Sequence, residues 1–140
     1  MPTGYLLDTN VISETRKARA DLGVMAFLSG AEAAQLFLSV LTIGELRKGV
    51  EARRRIDSVA AERLSEWVDG IETTFADRVL PIDMTIARLW GELSAGRSLP
   101  VIDTLIAATA TAHGLTLVTR NRRDFNATDV ALLDPWQAQV

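Results

Sequence analysis

Acidic residues in this chain recur behind short apolar runs or at the starts of helices, with no cysteine and a single histidine, His113, to accompany them. Asp8 follows Tyr5-Leu6-Leu7, Glu45 lies on the segment after the apolar run 35–40, Asp103 stands in the first turn of an apolar helix, and Asn121 or Asp124 follows the run 115–119. Apolar runs this short read as buried strands. In open α/β sheets, ligands bind outside the carboxyl ends of the strands. Those placements would gather the acids at one sheet edge. Two carboxylates about 4 Å apart repel by about 4 kcal/mol at an effective dielectric of 20, so the cluster calls for a counter-ion. Oxygen ligands without sulfur or nitrogen select Mg²⁺ or Mn²⁺. The chemistry such a site serves best is attack of a metal-activated water on a phosphodiester. Arg47, Lys48, Arg53, Arg54 and Arg55 around Glu45, and Arg120, Arg122 and Arg123 around Asn121, would hold the substrate strand.

Each acid alone has an ordinary explanation. Asp8 would serve as a turn acid, Asp103 as an N-cap, Glu45 as a solvated helix residue and Asp124 as a cap. The arginine runs are by default solvated faces. Their common placement is the signal.

The elements that must position these residues can be read in order. Residues 5–7, 35–40, 79–82, 115–119 and 130–133 are strand candidates, and residues 11–19, 21–30, 42–55, 58–75, 84–95 and 102–113 are helices. Asp21 and Ser58 are placed to cap the second and fourth helices, and Asp83 ends the third strand. On the helix 42–55, Arg47, Lys48, Glu51, Arg54 and Arg55 share one face. Thr42, Leu46, Gly49 and Val50 form the opposite arc, with Glu45 at its border. Trp67 and Phe75 read as core or dimer surface rather than as a nucleic-acid platform. The helix 102–113 is small and apolar on most sides and is expected to be buried. Strands alternating with helices predict an α/β fold: a mostly parallel central sheet of about four to five strands flanked by helices.

Length and composition bound the rest. At 140 residues, the chain reads as one domain spanning residues 1–140, large enough for one buried core. Hydrophobic residues at 48% and charged residues at 24% are ordinary for a soluble protein. No apolar run reaches the ~20 residues that span a bilayer, and the N-terminus lacks signal-peptide zones. A cytoplasmic location is expected. Zero cysteines exclude disulfides, a thiolate zinc site and a cysteine nucleophile. His113, before Gly114, reads as a helix C-terminal residue, leaving hydrolytic chemistry mainly to carboxylates. A net charge of −3 argues against a general nucleic-acid coat but permits a local basic patch.

Four stretches in order, Leu7-Asp8-Thr9-Asn10-Val11-Ile12-Ser13, Ser39-Val40-Leu41-Thr42-Ile43-Gly44-Glu45-Leu46-Arg47-Lys48-Gly49, Ile102-Asp103-Thr104-Leu105-Ile106-Ala107-Ala108-Thr109-Ala110 and Leu117-Val118-Thr119-Arg120-Asn121-Arg122-Arg123-Asp124-Phe125, resemble the PIN-domain family, specifically bacterial toxins of the VapC and FitB type. The likeness covers almost the whole chain and extends to Asp134-Pro135-Trp136. It implies that Asp8, Glu45 and Asp103 are metal-binding acids. The fourth position falls to Asn121 or to Asp124, and Thr119 matches a hydroxyl found beside the site. Asn10, within the first stretch, is a further candidate. The resemblance also implies Mg²⁺- or Mn²⁺-dependent RNA cleavage, homodimers, and a cognate VapB- or FitA-like antitoxin that blocks the site.

Two other functions compete with a toxin endoribonuclease. One is a component of a DNA-binding autoregulatory complex, reaching DNA only through its antitoxin and having weak nuclease activity. The other is a Mg²⁺-dependent phosphatase with Asp8 as nucleophile, which is disfavoured because Thr9-Asn10 follows and no Asp-x-Asp pair is present.

Overall fold

The computed structural model describes residues 4–125 and 128–136. The chain alternates between strands and helices: β1 (Tyr5–Leu7), α1 (Thr9–Glu14), α2 (Leu22–Gly30), a short 3-10 turn (Ala33–Gln35), β2 (Leu36–Ser39), α3 (Val40–Arg54), α4 (Ser58–Thr74), β3 (Val79–Leu80), α5 (Met84–Ser94), α6 (Val101–Ala112), β4 (Thr116–Val118), α7 (Arg122–Phe125) and β5 (Leu132–Leu133). The five strands form one sheet in the order β3-β2-β1-β4-β5, and every pairing is parallel. The mostly parallel α/β sheet expected from the sequence is therefore the fold, with β1 as read and each of the other four strands shorter than its apolar run.

The register explains the pattern of the strands. Leu6 faces Leu117 and Leu7 faces Val118 across the β1–β4 ladder. Successive strand residues point to opposite faces, so Leu6 and Leu117 join Ile106, Ala107, Ala110 and Phe125 on one side. Leu7 and Val118 join Val11, Val24, Leu38, Val50 and Val68 on the other. A parallel sheet buried on both faces needs such continuous apolar runs. Helix α6 is buried from Thr104 and from Ile106 through Ala110, as its small apolar composition predicts.

Helix boundaries depart from the sequence reading where side chains intervene. Helix α1 stops at Glu14, not at residue 19, because the buried Glu14 carboxylate turns back to accept the Asp21 backbone N–H at 2.9 Å and pairs with Lys17. The N-cap of α4 is Asp57, not Ser58: its Oδ1 accepts the Ala60 N–H at 3.0 Å. Asp83 does not end a strand but caps α5 through the Ile86 N–H at 2.9 Å. Asp21 caps α2 as expected, and His113 is the exposed C-cap of α6, followed by Gly114 at φ 64°. Phe75 is buried in the core with Arg78 stacked on its ring, so it is not available as dimer surface. The large exposed apolar side chains are elsewhere, among them Met84 on α5 and Val101 and Ile102 at the start of α6.

Candidate active site

Strand β1 is the pivot of the sheet. The chain runs outward from it through β2 to β3 on one side, then returns to place β4 and β5 on the other. Its carboxyl end is the topological switch point, where neighbouring connections diverge and leave a crevice. Asp8 is the first residue beyond that end. It is 5% exposed, and its backbone N–H still bonds Val118 of β4 at 2.9 Å.

Hydrogen bonds fix both oxygens of the Asp8 carboxylate. Oδ1 accepts the Thr9 N–H at 2.8 Å as the N-cap of α1, and Oδ2 accepts the Thr119 hydroxyl at 2.7 Å. The fully buried Thr119 Oγ1 in turn accepts the Asn121 N–H at 3.1 Å. A relay thus runs from the loop after β4 to the acid after β1. The turn-acid reading of Asp8 is correct as far as it goes, since the residue caps a helix. A cap does not need burial or a second donor from another strand.

Glu45 comes from the second turn of α3, which Ser39 starts by accepting the Leu41 N–H at 3.0 Å. Its carboxylate is exposed, yet it is tied to β1's end by the Thr9 hydroxyl, which also lies 3.2 Å from the buried Thr42 hydroxyl. Asp103 sits in the first turn of α6, but the N-cap there is Pro100. The capping explanation for Asp103 therefore fails, leaving its half-buried position without a helix-capping purpose.

Asp8, Thr9, Asn10, Ser13, Glu45, Asp103 and Asn121 line one cleft of about 330 Å³. The Asn10 side-chain oxygen is buried without a hydrogen-bond partner among the described residues. Asp124 does not line this cleft. It is exposed in α7, yet near enough for its charge to act on Asp8 and Asp103. The residues found only in the structure are Thr9, Thr42 and Ser13. Thr42 and Glu45 are i and i+3 on one helix, which was the available signal for Thr42.

The electrostatics agree with the crowding. Burial pushes the Asp8 carboxyl up, against the pull of the Thr119 and Thr9 bonds, and Glu45 and Asp124 raise it further. Asp103 is pushed up from 3.8 to about 6, first by burial and then by the charges of Asp8, Asp124 and Glu45. Because the folded-state value lies above the unfolded one, protonated Asp103 favours the fold. That contribution is complete below about pH 4 and lost as pH rises through about 6. In EDTA at pH 7.5, Asp103→Asn is therefore expected to melt a few degrees above wild type, with the difference closing towards pH 4. Equal or lower melting of the variant at pH 7.5 would show that no strain is held there.

The basic residues are less available than their spacing implied. Arg47 is held on α4, where its guanidinium donates to Asp69 at 2.6 Å, to Glu72, and to Ser65 at 3.2 Å. Arg54 pairs with Glu51 and Glu62. Arg53 and Arg55 lie about 12–15 Å along the helix from Glu45 at 1.5 Å per residue. Arg120 stacks on Trp136 at 5.2 Å. Lys48 is exposed and lines a groove beside Glu45.

The family model for the PIN domain matches residues 5–131, and the five-stranded parallel sheet flanked by helices agrees with it. The chain belongs to that family. It is 37% identical to Toxin FitB of Neisseria gonorrhoeae over 138 residues, covering 94% of this chain and 97% of that one. It is 36% identical to VapC ribonuclease Y4jK of Sinorhizobium fredii over 141 residues, covering 94% and 97%. Among solved structures, FitAcB from Neisseria gonorrhoeae superposes with a TM-score of 0.85 at 36% identity, covering 94% of this chain and 98% of that one. FitAB bound to an IR36 DNA fragment gives 0.79 at 34%, covering 94% and 95%. PIN-domain ribonucleases are in general dependent on divalent metal.

Among the described residues, no three acidic or histidine side chains stand close enough to grip one metal ion as they are. Mg²⁺ rarely needs such a cage: it keeps several waters and is bound through one or two carboxylates plus substrate phosphate. An all-oxygen cleft with mutually repelling acids and an unpartnered amide oxygen suits that mode.

Proposed function

We propose that this chain is a Mg²⁺- or Mn²⁺-dependent endoribonuclease acting as the toxin of a type II toxin–antitoxin pair. The observation that carries the reading is the buried Asp8 carboxylate at the sheet's switch point, facing a cleft that Glu45 and Asp103 share. Similarity over nearly the full chain to a named toxin and a named ribonuclease supports the substrate class. The solved complexes support a FitA- or VapB-like partner.

In this reading, Asp8 and Asp103 hold one divalent ion, with Glu45 joining directly or through a water. The ion supplies a lowered pKa for the attacking water and neutralises charge developing on the phosphate. The chain does the rest. Thr119 fixes the orientation of Asp8 by donating to Oδ2, and Thr9 holds the flexible Glu45 side chain towards the cleft. Asn10 brings to the cleft wall a buried side-chain oxygen that has no hydrogen-bond partner among the described residues. Asn121 brings a neutral amide that orients water or phosphate by hydrogen bonding, while Asp124 adds charge at the rim.

A second reading is favoured by one observation, the DNA-bound FitAB structure: the chain is a PIN-fold component of an autoregulatory complex that touches DNA through its antitoxin and has weak nuclease activity. Cleavage of RNA by the purified, partner-free chain separates the two. The nuclease reading expects internal cuts with Mg²⁺ or Mn²⁺ and none in EDTA. In a Mg²⁺ titration, Asp124→Ala is expected to raise the concentration required without lowering the plateau, whereas Asn121→Ala lowers the plateau. Wild-type behaviour of Asp124→Ala at every concentration would remove Asp124 from the metal site. No cleavage at any metal concentration, from protein that still binds its partner and promoter DNA, would favour the second reading.

A further inference from the structure

A second cavity of about 310 Å³ adjoins the carboxylate cleft and shares Thr9, Ser13 and Glu45 with it. Beyond those residues its walls change character. Leu46, Leu64 and the Trp67 ring make an apolar side, and Arg16 and Lys17 a basic one. Arg16 is exposed and rests on the Trp67 ring, 5.9 Å from its centre. Gly49 opens the floor: a Cβ built there meets nothing within 4 Å.

We propose that this cavity is a subsite for one unstacked base of the RNA, from a nucleotide next to the scissile phosphodiester. The inference rests on the ribonuclease reading above and adds where substrate selectivity arises. Single-stranded RNA is recognised through bases splayed out onto aromatic rings or arginine planes. Here, a tryptophan face that already accepts a flat cation stands beside the acids. The long Arg16 stem lets the guanidinium lift off and close over the other face of a base or onto its phosphate. The volume lies at the small end of ligand pockets, suited to one base with part of its sugar rather than to a helix. Continuity with the cleft sets the register, because an occupant of the cavity is joined to the phosphate lying against Asp8 and Glu45. The cationic side suits the phosphate of a nucleotide while the tryptophan face suits its base, and that pairing is what argues for RNA.

The test uses an RNA oligonucleotide that the wild-type chain is found to cut, together with copies carrying a single abasic nucleotide on either side of the cut. Removing the base from one flank is expected to lower kcat/KM about ten- to hundredfold, the usual range for a base stacked on an aromatic ring. Gly49→Leu fills the cavity from an exposed helical position, and Arg16→Ala removes its cation. Each is expected to lower kcat/KM on intact RNA and to lose most of the discrimination between intact and abasic substrate, so that the two losses are not additive. Thermal melting confirms that the variants are folded; should Gly49→Leu not fold, Arg16→Ala carries the test alone. Equal cleavage of intact and abasic RNA by the wild type would overturn the subsite while leaving the ribonuclease reading standing. So would unchanged discrimination in both folded variants, including the case in which they lose only affinity for the antitoxin. Absence of any RNA cleavage would instead remove the reading on which the subsite rests.

Discussion

Asp8→Asn is expected to lower RNA cleavage more than about a hundredfold while the protein stays folded. Loss of groups that merely orient metal ligands costs roughly 10- to 100-fold, and Asp8 is proposed as a ligand itself. The substitution is unusually clean at this position. Asparagine is as good an N-cap as aspartate, so the bond to the Thr9 N–H survives. One amide oxygen or nitrogen still faces the Thr119 hydroxyl, which both donates and accepts. What is removed is a desolvated charge that the neighbouring acids already penalise. Melting temperature should therefore hold or rise in EDTA while activity disappears. Wild-type cleavage rates from Asp8→Asn would reduce Asp8 to a turn residue.

Expression of the chain without its antitoxin is expected to arrest growth, with Asp8→Asn or Asp103→Asn relieving the arrest at equal protein level. An endonuclease needs few copies to deplete an essential RNA, so the effect should be near complete rather than a slowing. Both variants keep the cap or the helix that their residue stands on, so relief cannot be ascribed to misfolding. Co-expression of the partner should relieve the arrest of the wild type as well. Harmless high-level accumulation of soluble wild-type protein would contradict the toxin role.

The sheet was legible in the sequence because its strands are apolar runs cut off by polar residues, and a parallel sheet buried on both faces permits little else. Asp8 was legible for the same reason: an acid placed abruptly behind Leu6-Leu7 has to sit at a strand end. Asp103 was legible as a first-turn acid, and its alternative as an N-cap falls away because Pro100 stands at the cap three residues earlier. Arg47 was misread as a substrate contact because its carboxylate partners, Asp69 and Glu72, lie on the following helix. Helical periodicity describes one helix and is blind to the face of the next. The end of α1 was hidden similarly, since residues 15–19 keep a plausible helical composition while Glu14 binds the backbone across the loop. Thr9 drew no attention as a site residue; its tie to Glu45 spans 36 residues and needs the packed pair of α1 and α3 to exist. Short-range chemistry is written in the sequence, while commitments between helices appear only on packing.

The central claim, that these carboxylates hold the ion which cuts RNA, is tested most directly by crystals of the partner-free chain soaked in Mn²⁺ and measured at the manganese absorption edge. The account predicts a strong anomalous peak at the carboxylates of Asp8 and Asp103, beside Glu45, which is lost in Asp8→Asn crystals. No peak in that cleft, or manganese bound only elsewhere, from crystals whose redissolved protein still cleaves RNA would contradict it.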